Sequence, residues 1–533
     1  MKVGIDISIL TRGGGVANYI GQLLSGLKKA HRNEHYNSRS RTNMKPLFTQ
    51  SSLFRISLSI ITIGFITLYY GAYRSFNCPW SEDLALINQF CYSFVSEFSF
   101  RVSISHFANS LAEEHFRIIL ILISPLYWLF KSSFTLVVLS VLSVSVTLYV
   151  ILRIFETVMG DDADIRPLFL LLLLYPSTIN MFLTFGGRDC VFAMMFCAFS
   201  LLFYLQNKFF PWMTACILAS LCVEYTSLIV CGYAFTSFIH KKKVRWAVFA
   251  VLFGFGYFYL VNGVLMPSLR GDEMFAGIKF DEYSHIGKNP KEMLTYFFFN
   301  PVETISLLFQ PQKLWFLMKL LLPLFFFPLL GIEYLLIPAS QFMMVLLPQS
   351  WFYASTYWWY HTPLIPFVFT SAAIGMKRFE RTSGKKIPRM AMYGMTILLL
   401  FSSGNLYFQL RTFGGYIMKM EQPLWGHINS IPQSARVCAQ WPFLPQVSSR
   451  KETFPFPDLQ QSDYVILGYF RNKTPSNDET YKMKVKDLLK GSDYGVVAYF
   501  DNGDIILKKG YPNIKNDDCL HFILSASSHS MPL

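Results

Sequence analysis

The sequence predicts an all-α polytopic membrane protein of about 9–11 transmembrane helices, with a small α/β domain at its carboxyl end. Three observations carry this. Of 533 residues, 53% are hydrophobic and only 15% charged, where soluble domains carry about 25% charged residues. The apolar residues fall into long uncharged runs rather than alternating with polar ones, and the mean hydropathy is +0.35. The basic residues gather in short clusters between those runs: Lys28, Lys29, Arg32, Arg39, Arg41, Lys45 and Arg55; Lys241, Lys242, Lys243 and Arg245; Lys377, Arg378, Arg381, Lys385, Lys386 and Arg389. That is the positive-inside distribution, and it explains the net charge of +14 without nucleic acid.

Residues 1–29 read as a strand, a glycine turn and an amphipathic helix, and 30–51 as a basic linker. The opening piece lacks the continuous apolar core of a signal peptide. A first span at 52–73 follows, its basic amino-terminal flank placing that end in the cytoplasm and the loop 74–116 outside. This loop holds Glu82-Asp83 and Glu113-Glu114-His115 in a chain otherwise poor in exposed carboxylates. Residues 117–130 contain Pro125 and are short for a span, so they read as an interfacial helix feeding a second span at 132–153. The acids Asp161, Asp162 and Asp164 then fall on the inside. Spans at 167–185 and 190–206 are joined outside by Gly186-Gly187-Arg188-Asp189.

The stretch 209–239 starts and ends beside basic residues on the same side, which one span cannot do. It reads as a hairpin of two short helices with Glu224 near the tip. Irregular backbone at membrane depth needs protein or a water-filled cavity around it, and an intramembrane acid is a functional candidate, with a bond to a neighbouring helix as the other reading. Further spans are expected at 244–265, 313–330, 332–348, to about 376, and 390–408, the last delivering the carboxyl end outside. The aromatic run 351–363 reads as an interfacial belt, with His361 beside Tyr360 as its polar member. Residues 409–510 alternate strands and turns, including a β-hairpin around Asp501-Asn502-Gly503-Asp504. Residues 511–533 read as a poorly ordered tail. The nine cysteines show no metal-binding spacing; Cys78 with Cys91, and Cys438 with Cys519, could pair in an oxidising compartment or remain thiols.

Several stretches together carry a resemblance: SEDLALINQ (81–89), EEHFRIILILISPLYWLF (113–130), LCVEYTSLIVCGY (221–233), YSHIGKNPKEML (283–294), YWWYHTPLIPFVF (357–369) and IPQSARVCAQWPFLPQVSSR (431–450). In order and spacing, over residues 52–510, they resemble the prokaryotic membrane family DUF2079, a branch of the GT-C superfamily. Residues 1–29 separately resemble the start of a GT-B, family 4-like, glycosyltransferase. The GT-C resemblance implies a membrane domain at 52–408 and an extracytoplasmic domain at 409–510. It implies transfer of a sugar from a polyprenyl-phosphate carrier to a glycan, lipid or protein acceptor at the outer face, among membrane lipids. Its first outer-loop acid, a base or metal ligand, maps onto Asp83 with Glu82 beside it, and the acid of the second cluster onto Glu114, next to His115. A divalent cation, Mg or Mn, on Asp83 is the one cofactor it allows.

Outer-side cations at membrane level, Arg117 and Arg188, suit phosphate, as a substrate contact or, for Arg188, a lipid-headgroup anchor; Glu224, Tyr360 and His361 complete the candidate substrate-binding set. The chain departs from the family where Glu113-Glu114-His115 replaces Gly-Asp-His and Val223-Glu224-Tyr225 replaces Lys-Glu-Asp. The second change removes a cation near the hairpin tip. A transporter or flippase, which wants paired deep polar residues or repeated halves, and a non-catalytic assembly partner are the alternatives.

Overall fold

The computed structural model describes residues 50–105, 110, 113, 115–160, 163–183, 188–271, 282–385, 387, 389–402, 404–420, 422–471 and 477–528. The expectations for 1–49, Glu114, Asp161, Asp162, Gly186, Gly187 and 529–533 lie outside them. The chain divides into two compact units, Met1–Leu58 and Ser59–Leu533. Of the first, only the start of the helix Gln50–Arg74 is described. Everything below concerns the second.

Among the described residues, three helices are long and apolar enough to cross a membrane: Leu53–Arg74, Ser133–Met159 and Val244–Arg270. Elsewhere proline interrupts the apolar runs, because it removes a backbone donor and clashes with the preceding turn. The expected span 167–185 is two helices, Arg166–Leu174 and Pro176–Leu183, broken before Pro176. The spans expected at 313–330 and 332–348 are instead a bent pair, Pro311–Leu324 and Phe327–Leu335, meeting at 87°, followed by Ala339–Leu346; Pro323, Pro328 and Pro338 sit at the breaks. Ile119–Leu129 carries Pro125 and is the short helix read from the sequence.

Phe209–Cys222 and Thr226–Ile239 form the hairpin, with Val223-Glu224-Tyr225 at its tip. Trp212 near the start of one arm packs on Tyr233 near the end of the other, their rings 5.4 Å apart. Close approach depends on missing side chains: a Cβ on Gly232 would lie 2.0 Å from the carbonyl oxygen of Ile337, and one on Gly375 2.0 Å from that of Phe327. Hydroxyls of the long helix Ser133–Met159 find oxygen acceptors: Thr147 turns back on Ser143 O at 2.8 Å and Ser133 donates to Pro445 O at 2.6 Å.

The bundle has two chemically different ends. At one, Glu333 accepts a two-pronged contact from Arg378, with His240 Nε2 3.7 Å away. Lys242 reaches Tyr204 O at 3.1 Å, Lys377 reaches Val158 O, and Asp164 takes Arg166 and, at 3.3 Å, Arg389. Arg166 holds the Asp164 carboxyl below the usual carboxylate range. The helix starting at Val244 beside Lys241–Lys243 runs, through a π-helical turn at Leu260–Leu265, to Arg270 at the other end. There Arg270 Nη1 meets Glu113 O at 3.4 Å. Asp164 therefore stands at the end away from the outer-loop acids, as expected.

The carboxyl domain is a five-stranded sheet in the order β2-β1-β3-β5-β4, from β1 (Val437–Ala439), β2 (Thr453–Pro455), β3 (Tyr464–Gly468), β4 (Tyr494–Tyr499) and β5 (Asp504–Lys509). β1 runs parallel to both neighbours, and β5 antiparallel to β3 and β4. The β4–β5 hairpin turns at Gly503, φ 78°, as its Asn-Gly pair predicts. The expected tail is a correction. Asn516–Ser528 is a helix, and its Cys519 and Ile523, one turn apart, are fully buried in the domain core. Asn516 anchors it, accepting from Val496 N at 2.8 Å and donating to Tyr494 O at 2.9 Å. All nine cysteines are thiols, so neither possible disulfide forms.

This domain grips the membrane helices through polar groups. Asn88 and Gln89, both wholly buried on the helix Ser81–Glu97, reach into it. Asn88 donates to Ser448 Oγ (2.7 Å) and Ser449 Oγ (3.0 Å) and accepts from Tyr127 OH at 2.8 Å. Gln89 donates to Ser103 Oγ (2.8 Å) and Lys451 O (3.1 Å) and accepts from Ser103 N at 2.8 Å. Arg471 makes a two-pronged pair with the buried Asp504 and extends to Ser75 O at 3.1 Å. A buried donor or acceptor left without its partner costs about 1–3 kcal/mol. We expect Asn88→Ala, which removes three buried hydrogen bonds and leaves Tyr127 OH only its 3.3 Å contact to Ser449 Oγ, to lose stability in that range, seen as a lower melting temperature in detergent; an unchanged value would refute the grip.

Candidate active site

The first acidic pair is delivered by a strained turn. Phe76 and Trp80 both have left-handed backbone (φ 58° and 50°), a conformation bulky residues rarely adopt and that surrounding packing must hold. Here aromatic rings hold it: Phe76 stacks on Trp425 at 4.9 Å, and Trp80 contacts Trp358 at 4.8 Å and Trp359 at 5.5 Å. Trp80 precedes the helix Ser81–Glu97, so Glu82 and Asp83 occupy its first turn, where the helix dipole favours negative charge. Both are half-buried.

From Asp83 a chain of charge contacts crosses the bundle. Its Oδ2 meets Arg188 Nη2. Arg188 sits immediately before the helix Asp189–Leu205, its guanidinium 3.6 Å above the centre of the Trp359 ring. The next residue, Asp189, accepts its own helix's Cys190 N at 2.9 Å through Oδ1 and takes Arg117 Nε on Oδ2. Two residues before Arg117, His115 Nδ1 lies 2.9 Å from Glu224 Oε1, while Glu224 Oε2 accepts Phe116 N at 3.2 Å. Residues 188 and 189 are neighbours, as are 115 and 117, so three acid–base pairs form one continuous cluster.

Burial grades the pairs. The Asp189 and Arg117 side chains are 6% and 5% exposed, and Glu224 4%, whereas His115 is 17% and Asp83 33% exposed. Of these three carboxylates Asp83 is the most exposed, while Asp189 and Glu224 are enclosed. Glu224, expected among the substrate-binding residues, engages His115, and His115 has this hairpin-tip acid as partner. Tyr360 stacks on Tyr353 at 4.3 Å and on Trp359 at 5.0 Å, beside the Arg188 platform. His361 is wholly buried behind it, its Nε2 2.5 Å from Ser177 Oγ.

Sequence reading did not single out Asp189 or Arg270 for this end. Asp189 was visible as an acid opening an apolar run, and Arg270 as a cation closing one. What was missing was the fold that brings 113–117, 188–189 and 270 together.

The possible divalent cation was tested against the donors. Among the described residues no three His, Cys, Asp or Glu side chains stand close enough to share a metal, and Asp83 already takes a guanidinium. Positive charge beside Asp83 comes from Arg188.

Residues 81–506 match the family described as "Predicted membrane protein (DUF2079)"; the chain belongs to this family. Its fold is that of the GT-C glycosyltransferases. The chain is similar to ArnT from Cupriavidus metallidurans, solved bound to undecaprenyl phosphate, at 13% identity and a TM-score of 0.50, covering 84% of this chain and 97% of ArnT. The Archaeoglobus fulgidus oligosaccharyltransferase, solved with Zn and sulfate, matches at 11% identity and a TM-score of 0.37, over 85% of this chain and 73% of that one. No curated protein matches the chain.

The grading by burial yields a test. Breaking a buried ion pair from one side costs about 3–5 kcal/mol, because the remaining charge is stranded, while exposed pairs contribute about 0–1 kcal/mol. Asp189→Asn should therefore lose more monodisperse protein in size-exclusion chromatography than Asp83→Asn, whose carboxylate is one third exposed although Arg188 is 7% exposed. Equal losses would show that Asp83 is a structural acid.

Proposed function

We propose that the cluster around Asp83 is the transfer centre of a GT-C-type membrane glycosyltransferase, moving a sugar from a polyprenyl-phosphate carrier to a glycan, lipid or protein acceptor. The observation that carries the reading is the contiguous ladder Asp83–Arg188, Asp189–Arg117, Glu224–His115, which ends in one solvent-reachable carboxylate beside arginines.

The reaction needs a base for the acceptor hydroxyl and positive charge for the phosphate that leaves. Asp83 is the base. In the resting pair its carboxylate is engaged by Arg188. An incoming donor phosphate competes for that guanidinium, drawing Arg188 toward the leaving group and freeing Asp83 for the acceptor proton. Arg117, fixed by Asp189, adds charge that a bidentate oxyanion can use. Glu224 orients His115, which shares proton transfer at this end. Trp359 beneath Arg188 keeps the cation flat and available, and Tyr360 offers a hydroxyl and a ring edge to the sugar. His361 holds the aromatic wall through Ser177.

On this reading the basic end of the bundle faces the cytoplasm, by the positive-inside rule. The Asp83 end, the carboxyl domain and the acceptor then lie outside, and the amino terminus inside. Residues 52–408 form the membrane catalytic domain and 409–510 its extracytoplasmic companion.

The test is transfer in proteoliposomes from a polyprenyl-phosphate-linked sugar. Asp83→Asn should lose at least about 100-fold in rate, the scale of a general base, while eluting as wild type and keeping its helical circular dichroism. Full turnover by that variant would end the proposal, as would a cytoplasmic signal from a reporter placed after Trp80.

A further inference from the structure

A second electropositive locus stands at the start of the helix Pro311–Leu321. The helix Pro311–Leu321 begins with neither an acidic residue in its first turn nor a side-chain cap from Gln310. Its first turn instead carries Lys313, 3% exposed, whose Nζ is buried and has no hydrogen-bond partner among the described residues. A cation at the positive end of a helix dipole is unfavourable, and a buried ammonium without a counter-charge more so. His285, in the loop that precedes the helices Pro290–Phe299 and Pro301–Leu308, presents an Nε2 that is likewise buried and unpartnered. Burial, followed by the nearby Lys313 charge, works against its protonation. The acid close to it, Glu282, accepts Ser350 Oγ at 2.7 Å.

Lys313 and the positive end of its helix thus meet beside the His285 imidazole, with no carboxylate bonded to the ammonium among the described residues. The Tyr353–Tyr360 pair lies toward Arg188: Gln341 Nε2 holds Tyr360 O at 2.6 Å, and Tyr283 OH, two residues before His285, holds Met344 O at 2.9 Å on the same short helix as Gln341.

We infer that Lys313, the amino terminus of its helix and His285 form a binding site for a phosphate group, separate from the transfer centre. The ligand is a phosphate monoester or diester, supplied by a lipid head group or free in solution. Its oxygens take the ammonium and the exposed amide of the helix start, and the anion's charge offsets the burial that disfavours a proton on His285 Nε2, so that this atom donates as well. No bond is made or broken there. The site does not depend on the transfer reading, because it is measured by binding alone.

The experiment is isothermal titration of the detergent-purified full chain with inorganic phosphate and, separately, geranylgeranyl phosphate. Arg188→Gln serves as the background, so that the transfer centre does not contribute. In that background one site should remain, and adding Lys313→Met should weaken it at least tenfold. Loss for geranylgeranyl phosphate alone assigns the lipid head group; equal loss for both probes assigns the free phosphate group. Lys313→Met by itself should melt no lower than wild type without ligand, since the ammonium it removes has no partner. Three results would overturn the inference: no binding left after Arg188→Gln, affinity unchanged in the double variant, or a lower unliganded melting temperature for Lys313→Met.

Discussion

The Arg117–Asp189 pair is the constraint on which the site depends. Both groups are almost wholly buried at the start of the apolar helix Asp189–Leu205, where neither charge is tolerable alone. Their contact fixes the segment 113–117 against that helix, which in turn places His115 against Glu224 at the hairpin tip and Arg188 against Asp83. One buried pair thereby sets the register of three otherwise separate pieces of chain. Nothing softer would do so in surroundings without water to satisfy a misplaced charge.

A second device works from the carboxyl side. The helix that carries Asp83 also carries Asn88 and Gln89, whose amides are saturated by Ser448, Ser449, Ser103 and Lys451 O. Arg471 ties the same domain to Ser75, ahead of the strained Trp80 turn. The carboxyl domain, which has no reactive cluster of its own among the described residues, acts as the mount for the reactive helix. Its last helix, seated by Asn516, completes the core that keeps the mount rigid. Strain at Phe76 and Trp80 is sustained because aromatic packing on both sides leaves those residues no easier conformation.

The legible parts of the sequence were those governed by local physics. Long apolar runs gave the three unbroken helices, Pro125 the short helix after the outer loop, and matching basic flanks the hairpin around Glu224. Asp83, His115, Arg117 and Arg188 were recognised as residues of interest by their type and by resemblance. Proline counts were visible too, yet their effect at 311–335 was underestimated: a bend of 87° arises from how both halves pack, beyond the missing donor itself. The tail after residue 510 was misread because polar, charged residues surround Cys519 and Ile523, and two buried side chains one turn apart are too few to announce a docked helix.

By itself the sequence determined membrane class, the family, the unbroken helices, the hairpin around Glu224 and the side chains able to do acid–base and phosphate chemistry, since hydropathy and charge flanks act over a few residues. Tertiary structure alone decided which acid meets which base. Asp83 and Arg188 are 105 positions apart, and His115 and Glu224 109. Such pairings follow from the way helices cross, a matter of packing over the whole chain. Burial then separated the roles, leaving Asp83 reachable, Asp189 enclosed and Lys313 without a counter-charge, and no residue's degree of burial is written in its immediate neighbours.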